Sequence, residues 1–184
     1  MDALTVLLDK QAIQEVLMTY CRGVDRLDEE LVRSVYHPDA YDNHGYWRGK
    51  GWDFAPFVVA RLRAANRCTM HSITNVLIDV GGELATAESH VNVTLVRRAE
   101  SPSMADLMGA RYVDRLSKRN GQWKIDERTV VLEWHKVERW SAGDAPIALD
   151  AFTWGRRDRS DPVYVMTQHR TLRPKSTSTE EPIP

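Results

Sequence analysis

Cysteine is scarce in this 184-residue sequence: Cys21 and Cys68 are the only two, and they stand far apart. No Cys-x-x-Cys occurs, so neither a zinc site nor a disulfide framework is indicated, and a reducing, cytoplasmic setting is expected. An excess of one charge is also missing. There are 25 basic and 26 acidic residues, a formal net charge of −1. Polyanion-binding proteins carry a basic excess, so no nucleic-acid partner is expected. No apolar run approaches the roughly 18 residues of a membrane span. The opening Met1-Asp2-Ala3-Leu4 lacks the basic region of a secretory signal. Absent too are Gly-x-Gly-x-x-Gly, the Walker loop, His-Glu-x-x-His and Gly-x-Ser-x-Gly. No cofactor is therefore expected, and no His-x-His or i, i+4 histidine pair supports a metal. Any chemistry falls to side chains.

What is there is ordinary core-forming sequence with two changes of rhythm. Residues 4–23 read as a helix, with Ile13, Val16, Leu17, Tyr20 and Val24 on one face and Gly23 as the stop. A short helix follows over 28–36, with Asp28 as its N-cap and Pro38 beyond its end. Tyr41, Tyr46 and Trp47 among three glycines predict two short strands over 39–50. Helical spacing returns over 52–65. From Thr69 the period becomes two. Strands are expected over 70–80, 83–98, 106–118 and 122–135, with hairpins at Gly81-Gly82 and Asn120-Gly121. Helices followed by a meander make an α+β fold, a curved sheet around helices with a cavity between them. Residues 1–136 form the body. Residues 137–184 read as an extended arm on the body or on a neighbouring subunit, with the last ten or so disordered.

Several residues could do chemistry in such a cavity. Asp25, just after the first helix, could be solvated, cap the next helix, or point inward. His71 at a strand start could be a satisfied structural group or a base, since an imidazole titrates near neutral pH. Paired with an aspartate that fixes its tautomer, it becomes a general base. Strict alternation puts Asp126 and Arg128 on one face of the last strand and Trp123, Ile125 and Thr129 on the other. Arg128 is then either a cross-strand ion-pair partner or an anion-stabilising group in the cavity. His44, Trp47, Asn92, Met108 and Tyr112 form a polar and aromatic set, either a pocket for a ring-containing substrate or plain core and edge.

Ordered together, certain segments resemble a known family. They are Tyr20-Cys21-Arg22-Gly23-Val24-Asp25, Tyr36-His37-Pro38-Asp39-Ala40, Met70-His71-Ser72-Ile73-Thr74-Asn75, Gly109-Ala110-Arg111-Tyr112, Asn120-Gly121-Gln122-Trp123 and Leu132-Glu133-Trp134-His135. The set resembles the SnoaL-like branch of the nuclear transport factor 2-like superfamily over about residues 5–136. That resemblance implies a cone-shaped barrel: a strongly curved mixed sheet closed by three helices around a deep pocket. Its dehydratase and dehydrochlorinase members are cofactor-independent lyases with an Asp–His dyad. By that resemblance Asp25 and His71 are the dyad, Tyr20 the dehydratase tyrosine, and Arg128 the supporter of a departing or developing anion. The pocket residues would be His44, Trp47, Asn92, Met108 and Tyr112. It further implies a hydrophobic or aromatic substrate, base-initiated elimination or C–C cleavage, and a homo-oligomer, a trimer before a dimer. Other readings on the same scaffold are a ketosteroid-type isomerase or polyketide cyclase using Asp25 alone, a non-catalytic binding module, or the small subunit of a ring-hydroxylating oxygenase.

Overall fold

A computed structural model describes residues 2–98, 102–140 and 147–168. Helix α1 (Ala3–Arg26) is capped by Asp2, whose carboxylate accepts from the Thr5 N–H at 3.0 Å. It buries Ile13, Leu17, Tyr20 and Val24, the stripe expected from the sequence. The helix does not stop at Gly23. It ends at Leu27, which takes the left-handed conformation (φ 55°), while the N–H of Asp28 returns to the Gly23 carbonyl at 2.9 Å. Gly23 has a packing role instead: a Cβ there would meet Val32 Cγ2 at 2.8 Å and the Val32 nitrogen at 2.9 Å. The crossing with α2 (Glu29–Ser34) is that close. Extending α1 past Gly23 puts Asp25 in its last turn rather than beyond it.

Asp28 caps α2, accepting from the Leu31 N–H. Strand β1 (Tyr36–Asn43) begins at once, so Pro38 lies inside a strand rather than behind a helix. After β2 (Arg48–Lys50), α3 (Gly51–Ala65) buries Phe54, Val58, Val59 and Leu62, and carries Pro56 in its second turn. Four long strands follow: β3 (Asn66–Gly81), β4 (Leu84–Arg97), β5 (Met104–Arg119) and β6 (Gln122–Arg139). The sheet order is β2-β1-β6-β5-β4-β3, with β1 and β6 parallel and every other pair antiparallel. This is a mixed α+β cone whose sheet stays open at β2 and β3; α1 and α3 fill the concave side.

One irregularity changes the reading of β6. Leu116 pairs with Ile125 but Arg115 pairs with Glu127, so Asp126 is an extra, bulged residue. A bulge reverses the alternation beyond it. Arg128 therefore points inward with Trp123 and Ile125, not outward with Asp126. Period-two counting fails there because the strand is not regular. A second shift at Glu133, between Leu132 and Trp134, curves the far end of β6 in the same way.

Strand β6 runs past 136 to Arg139. Residues 147–168 then lie back on the α1–α2 junction. Arg26 pairs with Asp161 at 2.9 Å, the Tyr164 hydroxyl donates to Asp28 at 2.8 Å, and Arg157 donates to the Asn66 carbonyl at 2.6 Å. The expected frayed end, the last ten residues, lies outside the described residues.

Gly23→Ala tests the helix crossing. Alanine gains about 1 kcal/mol of helix propensity. Here its methyl would press on Val32 backbone, which cannot swing aside, and overpacking costs about 1–3 kcal/mol. The expected net result is a lower urea midpoint with an unchanged m-value.

Candidate active site

The concave face of the sheet and helices α1 and α3 enclose a cavity of about 640 Å³. Its walls are largely apolar: Val24, Val58, Val91, Val93, Met108, Ala110 and Val130. Four of the lining groups carry chemistry at depth, namely Tyr20, His44, His71 and Tyr112. A shallower hollow beside the β5–β6 hairpin, lined by Asp39, Glu83, Lys118 and Arg119, holds paired surface charges and no such set.

The end of α1 lies against β3, and this brings Asp25 to His71. The His71 ring Nδ1 is 2.7 Å from Asp25 Oδ1, and the His71 backbone N–H donates to Asp25 Oδ2 at 2.8 Å. One carboxylate thus grips both the ring and the main chain of the same residue. Both side chains are only about one-tenth exposed (10% and 11%). With Nδ1–H committed to a carboxylate, the free lone pair is on Nε2. The two residues are thus buried together rather than separately exposed.

A second histidine–aspartate pair stands on β1. Asp42 and His44 are two residues apart, hence on the same face of the strand. His44 Nδ1 lies 2.5 Å from Asp42 Oδ1, Tyr36 donates its hydroxyl to Asp42 Oδ2 at 2.7 Å, and His44 Nε2 is 3.0 Å from the Tyr20 hydroxyl. The imidazole stacks on Phe54 with centroids 4.2 Å apart. Burial pushes its pKa below the ordinary histidine value, although Asp42 pulls the other way. His44 is thus not a lone pocket contact but the middle of a four-residue chain. The local signal, Asp-x-His on one strand face, is present in the sequence.

Arg128 is fully buried and does not reach the cavity wall. It forms a two-pronged pair with Asp114, its direct cross-strand neighbour, at 2.8 and 2.7 Å. Its guanidinium carbon lies 4.4 Å from the Tyr20 ring centroid and 4.2 Å from that of Tyr112. Burial is the largest influence and opposes its charge, but Asp114 together with the Tyr36 and Tyr20 phenols raises its pKa well above the usual range, so it stays protonated. Arg128 therefore sits behind the tyrosines that line the pocket, and any effect on an anion is exerted through them. Burial likewise raises both phenols well above their usual range.

The remaining expected residues divide. Met108 and Tyr112 line the cavity. Asn92 does not: it is exposed on the outer face, between inward Val91 and Val93. Strand phase decides this, and the placement of Asn92 in the pocket is corrected. Trp47 packs on Phe57 at 4.6 Å and on the buried core rather than on the cavity, so it supports the wall from behind. A group not anticipated from the sequence stands among the more exposed lining residues. Arg97, Asp106 and His135, from three adjacent strands, are linked by contacts of 2.7 and 2.8 Å, and Arg97 hydrogen bonds hold the Asp106 carboxyl down at about 2. No local spacing could have revealed it, since it is built by register. Among the described residues no three His, Cys, Asp or Glu side chains converge as a metal site, and no helix is long and apolar enough to cross a membrane.

Comparison with known proteins agrees with this geometry. A model of the SnoaL-like domain matches residues 5–129. A candidate scytalone dehydratase from Novosphingobium aromaticivorans superposes with a TM-score of 0.66 at 21% identity, covering 76% of this chain and 93% of that one. A type 2 hexachlorocyclohexane dehydrochlorinase, LinA, gives a TM-score of 0.69 at 20% identity, covering 78% and 100%. A protein of unknown function from Mycobacterium tuberculosis gives 0.61 at 23%, covering 89% and 92%. At such identities the likeness establishes the shared fold. No curated protein matches the sequence.

Asp114→Asn tests the buried pair. It leaves the Arg128 charge without its counter-ion, which costs about 3–5 kcal/mol. A large fall in the thermal midpoint is expected; a midpoint within a degree or two of the parent would show that the pair does not carry this part of the core.

Proposed function

The chain belongs to the SnoaL-like domain family, and we propose that within it this protein is a cofactor-independent lyase acting on a bulky, ring-containing small molecule. The observation that carries the reading is the Asp25–His71 contact inside an apolar cavity of about 640 Å³. Asp25 orients the imidazole by holding its Nδ1–H; Nε2 of His71 takes a proton from the substrate. Loss of a leaving group, or cleavage of a C–C bond, follows from the electron pair so released. The apolar wall binds the ring system and excludes water, so a small number of polar groups sets its orientation. Buried Arg128 keeps a positive charge behind Tyr20 and Tyr112, favourable to negative charge developing in front of them. The names of the structural neighbours, a dehydratase and a dehydrochlorinase, are of the same reaction class.

The same reading includes a cytoplasmic setting and a homo-oligomer, a trimer before a dimer. Trp134, on the outer face of β6, is 50% exposed, as part of an apolar contact face would be in a single copy. Mass by light scattering checks this: about three chain masses are expected, and a single chain mass would sink the oligomer.

His71→Ala and Asp25→Asn are expected to lower turnover of an accepted substrate by about 10²–10⁴-fold, the usual contribution of a general base. Circular dichroism should show the parent fold. Undiminished turnover in both variants would remove the dyad. Isotope exchange into recovered substrate without loss of a leaving group would favour the isomerase reading instead.

A further inference from the structure

The pocket holds a second histidine–aspartate pair that base-initiated elimination by His71 does not use. We infer that Asp42 is a positioning residue that fixes the tautomer of His44 and thereby makes Tyr20 a hydrogen-bond acceptor toward the cavity, so that the substrate carries a hydroxyl seated on Tyr20. This deepens the lyase reading and rests on it for the presence of substrate beside His71.

The argument is a count of protons. The His44 Nδ1 to Asp42 Oδ1 distance is 2.5 Å, and Asp42 is completely buried. A carboxylate that close to a bare ring nitrogen would be repelled, so Nδ1 carries the proton. Asp42 has its other oxygen satisfied by the Tyr36 hydroxyl, which can only donate there. A neutral imidazole has one N–H, so Nε2 is left with a lone pair. Its partner is the Tyr20 hydroxyl at 3.0 Å. Tyr20 must therefore give its single proton to His44. What it presents to the cavity it lines is oxygen lone pairs. A group that needs a donor, such as an ether, a halide or a ketone oxygen, gains nothing there; an alcohol, phenol or enol does.

The arrangement also defines a proton path on a wall separate from His71. As the substrate O–H proton moves to the Tyr20 oxygen, the Tyr20 proton moves to His44 Nε2. His44 then holds two N–H groups against the Asp42 carboxylate. Return along the same path restores every group, and no proton leaves the pocket. Burial holds the Tyr20 phenol well above its usual range, so the two transfers occur together rather than through a free phenolate.

Two measurements test it. The first needs no ligand: nitrogen-15 spectra of the whole protein at neutral pH should show His44 with a protonated Nδ1 and an unprotonated, hydrogen-bonded Nε2. Asp42→Asn should change that pattern, and Tyr36→Phe, which keeps the carboxylate, should preserve it. The second compares binding of 2-naphthol with that of its methyl ether. The naphthol should bind about tenfold more tightly, the factor one net hydrogen bond supplies. Tyr20→Phe should bring the ratio near one while leaving ether affinity unchanged, and Asp42→Asn should lower it. Finding the proton on Nε2 would overturn the inference. So would equal binding of the two probes, failure of both to bind, or a ratio that survives Tyr20→Phe. His71→Ala separates the two readings. Retained turnover with a retained naphthol preference defeats the His71 base and spares the Tyr20 acceptor; lost turnover with no preference in the parent does the reverse.

Discussion

A charge with no water around it constrains the centre of this molecule. Arg128 is wholly buried, and its compensation comes from Asp114 on the next strand and from two tyrosine faces. That arrangement needs the β5–β6 register to place Asp114 opposite Arg128. It also needs the bulge at Asp126 to turn Arg128 inward. Tyr20 from α1 and Tyr112 from β5 are in turn held where the guanidinium meets their rings. Helix position, strand register and the deep wall of the pocket thus share one electrostatic requirement. A buried, paired charge is costly to disturb on one side alone, so it makes a firm backing for groups that face substrate.

On that backing the cavity is asymmetric. At β3, Asp25 holds His71 by ring and main chain, leaving Nε2 able to accept a proton. At β1, Asp42 holds His44, and the lone pair there is spent on Tyr20 rather than on substrate. Two similar pairs therefore present different chemistry. One offers a nitrogen base and the other a phenol oxygen with its proton turned away. Both are oriented by carboxylates set into packed secondary structure, which is how a small site keeps its geometry.

Much of the fold was legible in the residues. The apolar stripe of α1, the Asp28 cap, the Asn120-Gly121 hairpin and the change to period two all act locally, and all are seen; the hairpin expected at Gly81-Gly82 turns one residue later, at Gly82-Glu83. The misreadings were equally physical. Gly23 looked like a helix stop because glycine often is one, yet here it serves a close helix crossing. Strict alternation grouped Arg128 with Asp126 and against Trp123 and Ile125, a grouping that the bulge breaks. Asn92 looked polar enough for a pocket, but its strand phase points it outward. Of the site, the Asp42-x-His44 spacing was readable, while the Arg97–Asp106–His135 group was not, because its members meet only across three strands.

By itself, then, the sequence determined the α+β class, the element order and the identity of the titratable residues. These follow from short-range rules: periodicity, capping and turn preference act over a few residues. Only the tertiary structure decided which of those residues meet. Asp25 and His71 are 46 positions apart, and Tyr20 and His44 are 24 apart. Their pairing depends on where α1 lies against β3 and the end of β1, which no local pattern encodes.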